Sequence, residues 1–132
     1  MSRRKEVKKL DAVFSKYIRN LYADKAGRTK CITCGVLKPV AEMHAGHFMS
    51  RSKYSTRWMH DPSTGMVNVM PQCPRCNLYD SSQSYKFGKR LDAIYGEGTA
   101  EKVHQASQQM SKFSLTDIVA MRKMYEQKLK DL

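Results

Sequence analysis

Cys31-Ile32-Thr33-Cys34 and Cys73-Pro74-Arg75-Cys76 are the stretches that decide the fold. They hold all four cysteines of the chain, in two pairs of identical spacing. Each C-x-x-C turn brings two sulfurs to one side of an ion, so the two together read as one tetrahedral Zn²⁺ site with four thiolate ligands. A closed four-thiolate site has no open position for water, so this zinc is structural. The gap between the pairs is longer than in a compact zinc ribbon, which leaves room for an inserted functional hairpin.

That insertion contains Met43-His44-Ala45-Gly46-His47-Phe48, and Asn77 follows the last cysteine directly. Phosphodiester hydrolysis at neutral pH needs a base for water, a cation at the leaving oxygen and a hold on the phosphate. Imidazole titrates near neutrality, which makes His47 the candidate base. The Asn77 amide oxygen and a neutral His44 nitrogen are candidate ligands for a divalent ion such as Mg²⁺ or Mn²⁺. Residues three apart on an unbroken strand face opposite ways, so a bulge at Gly46 is expected to turn 44 and 47 to one side. Asp80 is a candidate carboxylate on the helical face of Asn77. His60 and His104 lack such surroundings and are expected to be solvated.

The rest of the chain frames this centre. With 132 residues it is expected to form a single domain. Its middle is polar and needs the metal as a staple. Val7, Leu10, Val13, Phe14, Tyr17, Ile18 and Leu21 mark a basic amphipathic helix over 6–24. Residues 28–82 read as the zinc-bound core, with short strands near 29–33 and 44–50 and a helix opening at Pro74. Residues 83–132 read as helical: a stretch through Phe87 and Leu91, a short helix over 100–109, and a last helix opened by a capping box at Ser114–Asp117.

Twenty-four Lys and Arg against twelve Asp and Glu leave a net charge of +12, which points to a polyanion, foremost nucleic acid. Arg51, Lys53, Arg57 and Arg75 are the candidate phosphate contacts, with Tyr54 and Trp58 interleaved. No leader pattern or bilayer-length apolar run is visible, so a cytoplasmic protein without a membrane partner is expected.

Several pieces together resemble the phage NinG/Rap recombination endonucleases. More broadly they resemble the His-Asn-His (ββα-metal) nucleases of the phage endonuclease VII type. The matching pieces are Cys31-Ile32-Thr33-Cys34-Gly35, Ala45-Gly46-His47-Phe48, Arg57 before an aromatic, Asn68-Val69, Gln72-Cys73, Cys76-Asn77 and the run Tyr125 to Leu132. The resemblance implies an α+β fold: a zinc-stapled, treble-clef-like ββα-metal core flanked by N- and C-terminal helices. It implies metal-dependent cleavage of branched double-stranded DNA, such as Holliday junctions or D-loops, by a homodimer. It gives His47 the base role, Asn77 the catalytic metal and the four cysteines the zinc. The chain departs from the pattern in carrying His44 where the family has Asp, Ser82-Gln83 where it has Gly-Asn, and a longer loop at 61–65. The competing expectation is a zinc-finger module that binds DNA or RNA without chemistry.

Overall fold

The computed structural model describes residues 2–79 and 83–132. Asp80 and Ser82 lie outside these described residues.

Helix α1 (Arg3–Leu21) begins where the Ser2 hydroxyl accepts from the Lys5 N–H. It ends before a turn in which the Asp24 carboxylate accepts from the Ala26 and Arg28 N–H groups, and Gly27 takes a φ of +75°. These two local stops place the helix three residues earlier at each end than the apolar stripe alone suggests. Its buried face is Val7, Leu10, Phe14, Tyr17 and Ile18.

A hairpin follows, β1 (Arg28–Lys30) with β2 (Leu37–Pro39), and the first cysteine pair sits in its turn. After a 3-10 turn at Val40–Glu42 come β3 (His44–His47), the short α2 (Tyr54–Arg57), and a hairpin of β4 (His60–Asp61) with β5 (Met66–Val67). Strand β6 (Val69–Gln72) returns antiparallel to β3, and α3 (Pro74–Leu78) begins at once, with Pro74 in its first turn. Helices α4 (Gln83–Tyr95), α5 (Thr99–Ser107) and α6 (Leu115–Lys130) complete the chain. The predicted capping box is present at α6, where Ser114 and Asp117 exchange hydrogen bonds.

The largest core lies between the terminal helices. Phe14, Tyr17 and Ile18 of α1 pack with Ile118 and Tyr125 of α6, and Trp58 and Val69 close the cluster. Phe14 and Ile18 are fully buried, and burial of each such side chain contributes about 2–3 kcal/mol. A second core joins Phe87 and Leu91 of α4 to Val67, Met70 and Ile32. The cysteines and Met43 form a third, small cluster. β6 is central to the molecule: it pairs with β3 on one edge and accepts the Ile32 N–H at the Pro71 carbonyl on the other. The protein is thus a mixed helix and strand fold with small sheets, built around four clustered cysteines.

Candidate functional site

The sulfurs of Cys31, Cys34, Cys73 and Cys76 all lie within 4.8 Å of one another. The Cys34 and Cys73 sulfurs are 3.8 Å apart, the edge of a tetrahedron with Zn–S bonds of about 2.3 Å. Donor set and spacing both suit Zn²⁺. Burial opposes ionisation at Cys31, but hydrogen bonds from the backbone of both knuckles and from Thr33 outweigh it and bring the thiol to about 6. Burial pushes the Cys76 thiol up to about 12. A dication is what allows all four to ionise together.

The cluster also positions Asn77. Cys73 caps α3, and its carbonyl accepts the Asn77 N–H at 2.9 Å. Asn77 is therefore fixed by the first hydrogen bond of a helix that starts on a cysteine of the cluster. Its side-chain nitrogen lies 3.0 Å from His44 Nδ1, bridging α3 and β3. Rotating the amide puts its oxygen in the same place. Ligands at about 2.1 Å in neighbouring octahedral positions stand about 3.0 Å apart, so the pair can share one ion. Neither group is charged when neutral, and this donor set suits Mn²⁺ better than the harder Mg²⁺.

His47 is the last residue of β3 and is mostly buried. Its Nε2 is 2.9 Å from the Arg57 carbonyl oxygen. A carbonyl only accepts, so Nε2 carries the proton and Nδ1 keeps its lone pair. Burial lowers the His47 pKa, against the pull of the Arg57 carbonyl, and the Arg51 charge lowers it further. The lowered pKa favours the neutral ring, the form that can accept a proton. His44, His47 and Asn77 line one cleft of about 570 Å³, together with Asp11, Ser15, Arg19 and Arg51.

No bulge assists this convergence. β3 and β6 pair continuously from His44↔Gln72 to His47↔Val69. Gly46 serves a different purpose: a Cβ there would stand 2.2 Å from the Gln72 Oε1 and 2.7 Å from its Cβ. Glycine is required because the buried Gln72 side chain lies across it. The histidines share the cleft with Asp11, Phe14, Ser15 and Arg19 of α1, which packs against β3.

Among the predicted phosphate contacts, Arg51 lines the cleft and is largely exposed. Lys53 is exposed nearby in sequence but does not line it. Arg57 corrects the expectation. Its guanidinium grips both oxygens of Asp11, at 3.1 and 2.5 Å, and donates to the Arg51 carbonyl at 2.9 Å. Only 14% of the side chain is exposed, and three of its N–H groups are taken by Asp11 and the Arg51 carbonyl, so its main partner is Asp11 rather than a phosphate. Arg75 also lies elsewhere. It borders Cys34, Val36, Lys38 and Cys73, and the Cys76 thiolate charge strengthens its hold on its proton. Trp58 is buried, and its indole N–H donates to Asp11 at 2.9 Å. His60 is half-buried rather than solvated: it packs against Tyr17 and Tyr22, with Nε2 2.7 Å from the Tyr22 hydroxyl.

Two residues escaped the sequence reading. Asp11 joins α1 to α2 through Arg57 and Trp58, and its only signal was an acid beside a basic helical stripe. Asn68 was noted only as part of a motif. Its side chain is fully buried, accepting the Met49 N–H and donating to the Met49 and Thr56 carbonyls. It clamps the loop that carries the Arg57 carbonyl to His47.

Comparison with curated proteins and with solved structures gave no match. Comparison with protein families gave one that spans the chain: the model described as Bacteriophage Lambda NinG protein matches residues 1–132. The chain belongs to the NinG family of phage lambda, a recombination-related family.

Proposed function

We propose that this protein is a structure-selective DNA endonuclease of the His-Asn-His type, acting on branched recombination intermediates. The observation that carries the reading is the His47 imidazole. Its Nε2–H is held by a backbone carbonyl, it lines the same cleft as the His44–Asn77 pair, and burial favours its neutral form. This is the arrangement a hydrolytic base requires.

In the proposed reaction His47 Nδ1 takes a proton from the attacking water, and its Nε2–H holds the ring on the Arg57 carbonyl throughout. Arg51 holds a non-bridging phosphate oxygen. His44 and Asn77 would hold the divalent ion, which would neutralise charge on the leaving 3′-oxygen. Water attack forms the new P–O bond as the P–O3′ bond breaks; the leaving oxygen takes a proton from solvent, giving a 5′-phosphate and a 3′-hydroxyl. The four cysteines would hold a Zn²⁺ that keeps α3 docked on β3. Paired nicks across a junction call for two copies of the chain, so a homodimer is part of the proposal.

The test is incubation of purified protein with a labelled four-way junction and with linear duplex, in Mg²⁺, in Mn²⁺ and in chelator. The junction is expected to be nicked, faster in Mn²⁺ than in Mg²⁺, and the duplex spared. Asn77→Ala is expected to abolish nicking while junction binding persists. Binding with no nicking under either ion would overturn the enzyme reading and leave a zinc-finger nucleic-acid binder.

A further inference from the structure

The cleft holding His44, His47 and Asn77 does not end at the site. A second hollow, lined by Arg3, Arg4, Val7, Lys8, Tyr54 and Arg57, shares Asp11 and Arg51 with it. The two hollows lie next to each other along α1 and meet at the Asp11–Arg51 ion pair. The residues of α1 that border them include Arg4, Lys8, Asp11, Ser15 and Arg19. Their spacing of four, three, four and four is a single stripe down one side of a helix. This stripe is neither the buried apolar face nor the outer face, where Lys5, Lys9 and Lys16 stand about 100° further round.

The charges along the stripe are arranged for an anion. Arg4 and Lys8 are exposed, and neither is paired with an acid among the described residues. Arg51 projects at the junction of the two hollows, 62% exposed. Arg19 borders the far end, held by the Ser15 and Val40 carbonyls. The one acid in the stripe, Asp11, is engaged by Arg57, Trp58 and Arg51, so its charge is compensated within the protein. Lys9, outside the stripe, is instead paired with Glu6.

We propose that this stripe of α1 is a track for one sugar-phosphate strand of the DNA substrate. The strand enters along Arg4 and Lys8, passes Arg51 at the site and leaves by Arg19. From residue 4 to residue 19 the helix rises about 22 Å, long enough to follow several successive phosphates of one strand. The contacts go to backbone oxygens and carry no base readout. The proposal deepens the nuclease reading and rests on it for the path of the strand, but it is tested by binding alone.

The experiment compares two double variants of the full chain that remove equal charge: R4A/K8A within the stripe and K5A/K16A on the outer face. All four positions are exposed on α1, and alanine is the strongest helix former, so neither double variant should weaken the helix. Affinity for a labelled four-way junction is measured against salt concentration in chelator, where no cleavage occurs. Removing two phosphate contacts should lower the slope of log affinity against log salt by about 2 and weaken binding about tenfold or more at 0.1 M salt. K5A/K16A should change neither by a comparable amount. That contrast would support the track whether or not the wild-type protein nicks the junction. Equal losses in the two variants, or no loss in R4A/K8A, would overturn it even if nicking is intact.

Discussion

Arg57 shows how a side chain and its own backbone can serve one site in separate ways. The carbonyl accepts from His47 and fixes its tautomer, while the guanidinium anchors the peptide by gripping Asp11. Removing one partner of a largely buried ion pair leaves the other without its counter-charge. Arg57→Ala should therefore lower stability by about 2–4 kcal/mol, read by denaturant unfolding. It should leave the salt slope of DNA binding nearly unchanged, the reverse of what a phosphate contact would give. The family resemblance points to a phosphate role for Arg57; its partner Asp11 lies on α1, a contact the sequence does not show. That His47 and Asn77 lie in one cleft could be expected for the opposite reason. Their signal is local: one follows Ala-Gly in the insertion and the other abuts the last cysteine. Gly46 was legible as special but not as to why, since the side chain that covers it belongs to the facing strand. Gly46→Ala is expected to cost about 1–3 kcal/mol through overpacking, seen as a lower unfolding midpoint.

Strands β3 and β6 and helix α3 behave as one unit, tied at both ends. At one end Cys73 and Cys76 anchor α3 in the metal cluster; at the other Asn68 clamps the loop between β3 and β6. A four-residue ladder is too short to hold its register unaided. Cys73→Ser should abolish cooperative unfolding, and a strong chelator should do the same to the intact protein, with release of about one Zn²⁺ per chain. Asn68→Ala would leave buried backbone groups of Met49 and Thr56 unpaired, at a cost of about 3 kcal/mol or more. Because the same loop carries the Arg57 carbonyl, nicking should also fall at temperatures where the variant stays folded. The cysteine spacing and the α6 capping box could be read directly, since each is a short-range rule. The continuous β3–β6 register and the short α2 could not. They are set by tertiary partners, including Asn68, Asp11 and Trp58.

The terminal helices hold the whole together, and the cleft lies partly under α1. Glu6 near the start of α1 is buried against Arg122 of α6, and Phe14 and Tyr17 pack on Tyr125. Their junction with the β4 hairpin contains His60, whose burial pushes its pKa down to about 4. A histidine kept neutral in the folded state takes up its proton more readily when unfolded. Its contribution is complete above about pH 6.5 and is lost as pH falls toward 4. The native protein should lose about 2–3 kcal/mol across that window from this group, and His60→Gln should flatten this part of the stability profile relative to wild type. His47 shares the direction of shift, so nicking should already be near its plateau at neutral pH and fall in acid. No helix among the described residues is long and apolar enough to cross a membrane, and the net charge of +12 favours a polyanion. Everything in the functional account converges on the imidazole at position 47. The decisive measurement is single-turnover nicking of a four-way junction by wild type and by His47→Ala, with Mn²⁺ present and junction binding measured in parallel. The account predicts that His47→Ala binds as tightly as wild type and nicks 10²- to 10⁴-fold more slowly, by about the factor a general base supplies. A variant that nicks at the wild-type rate would contradict it.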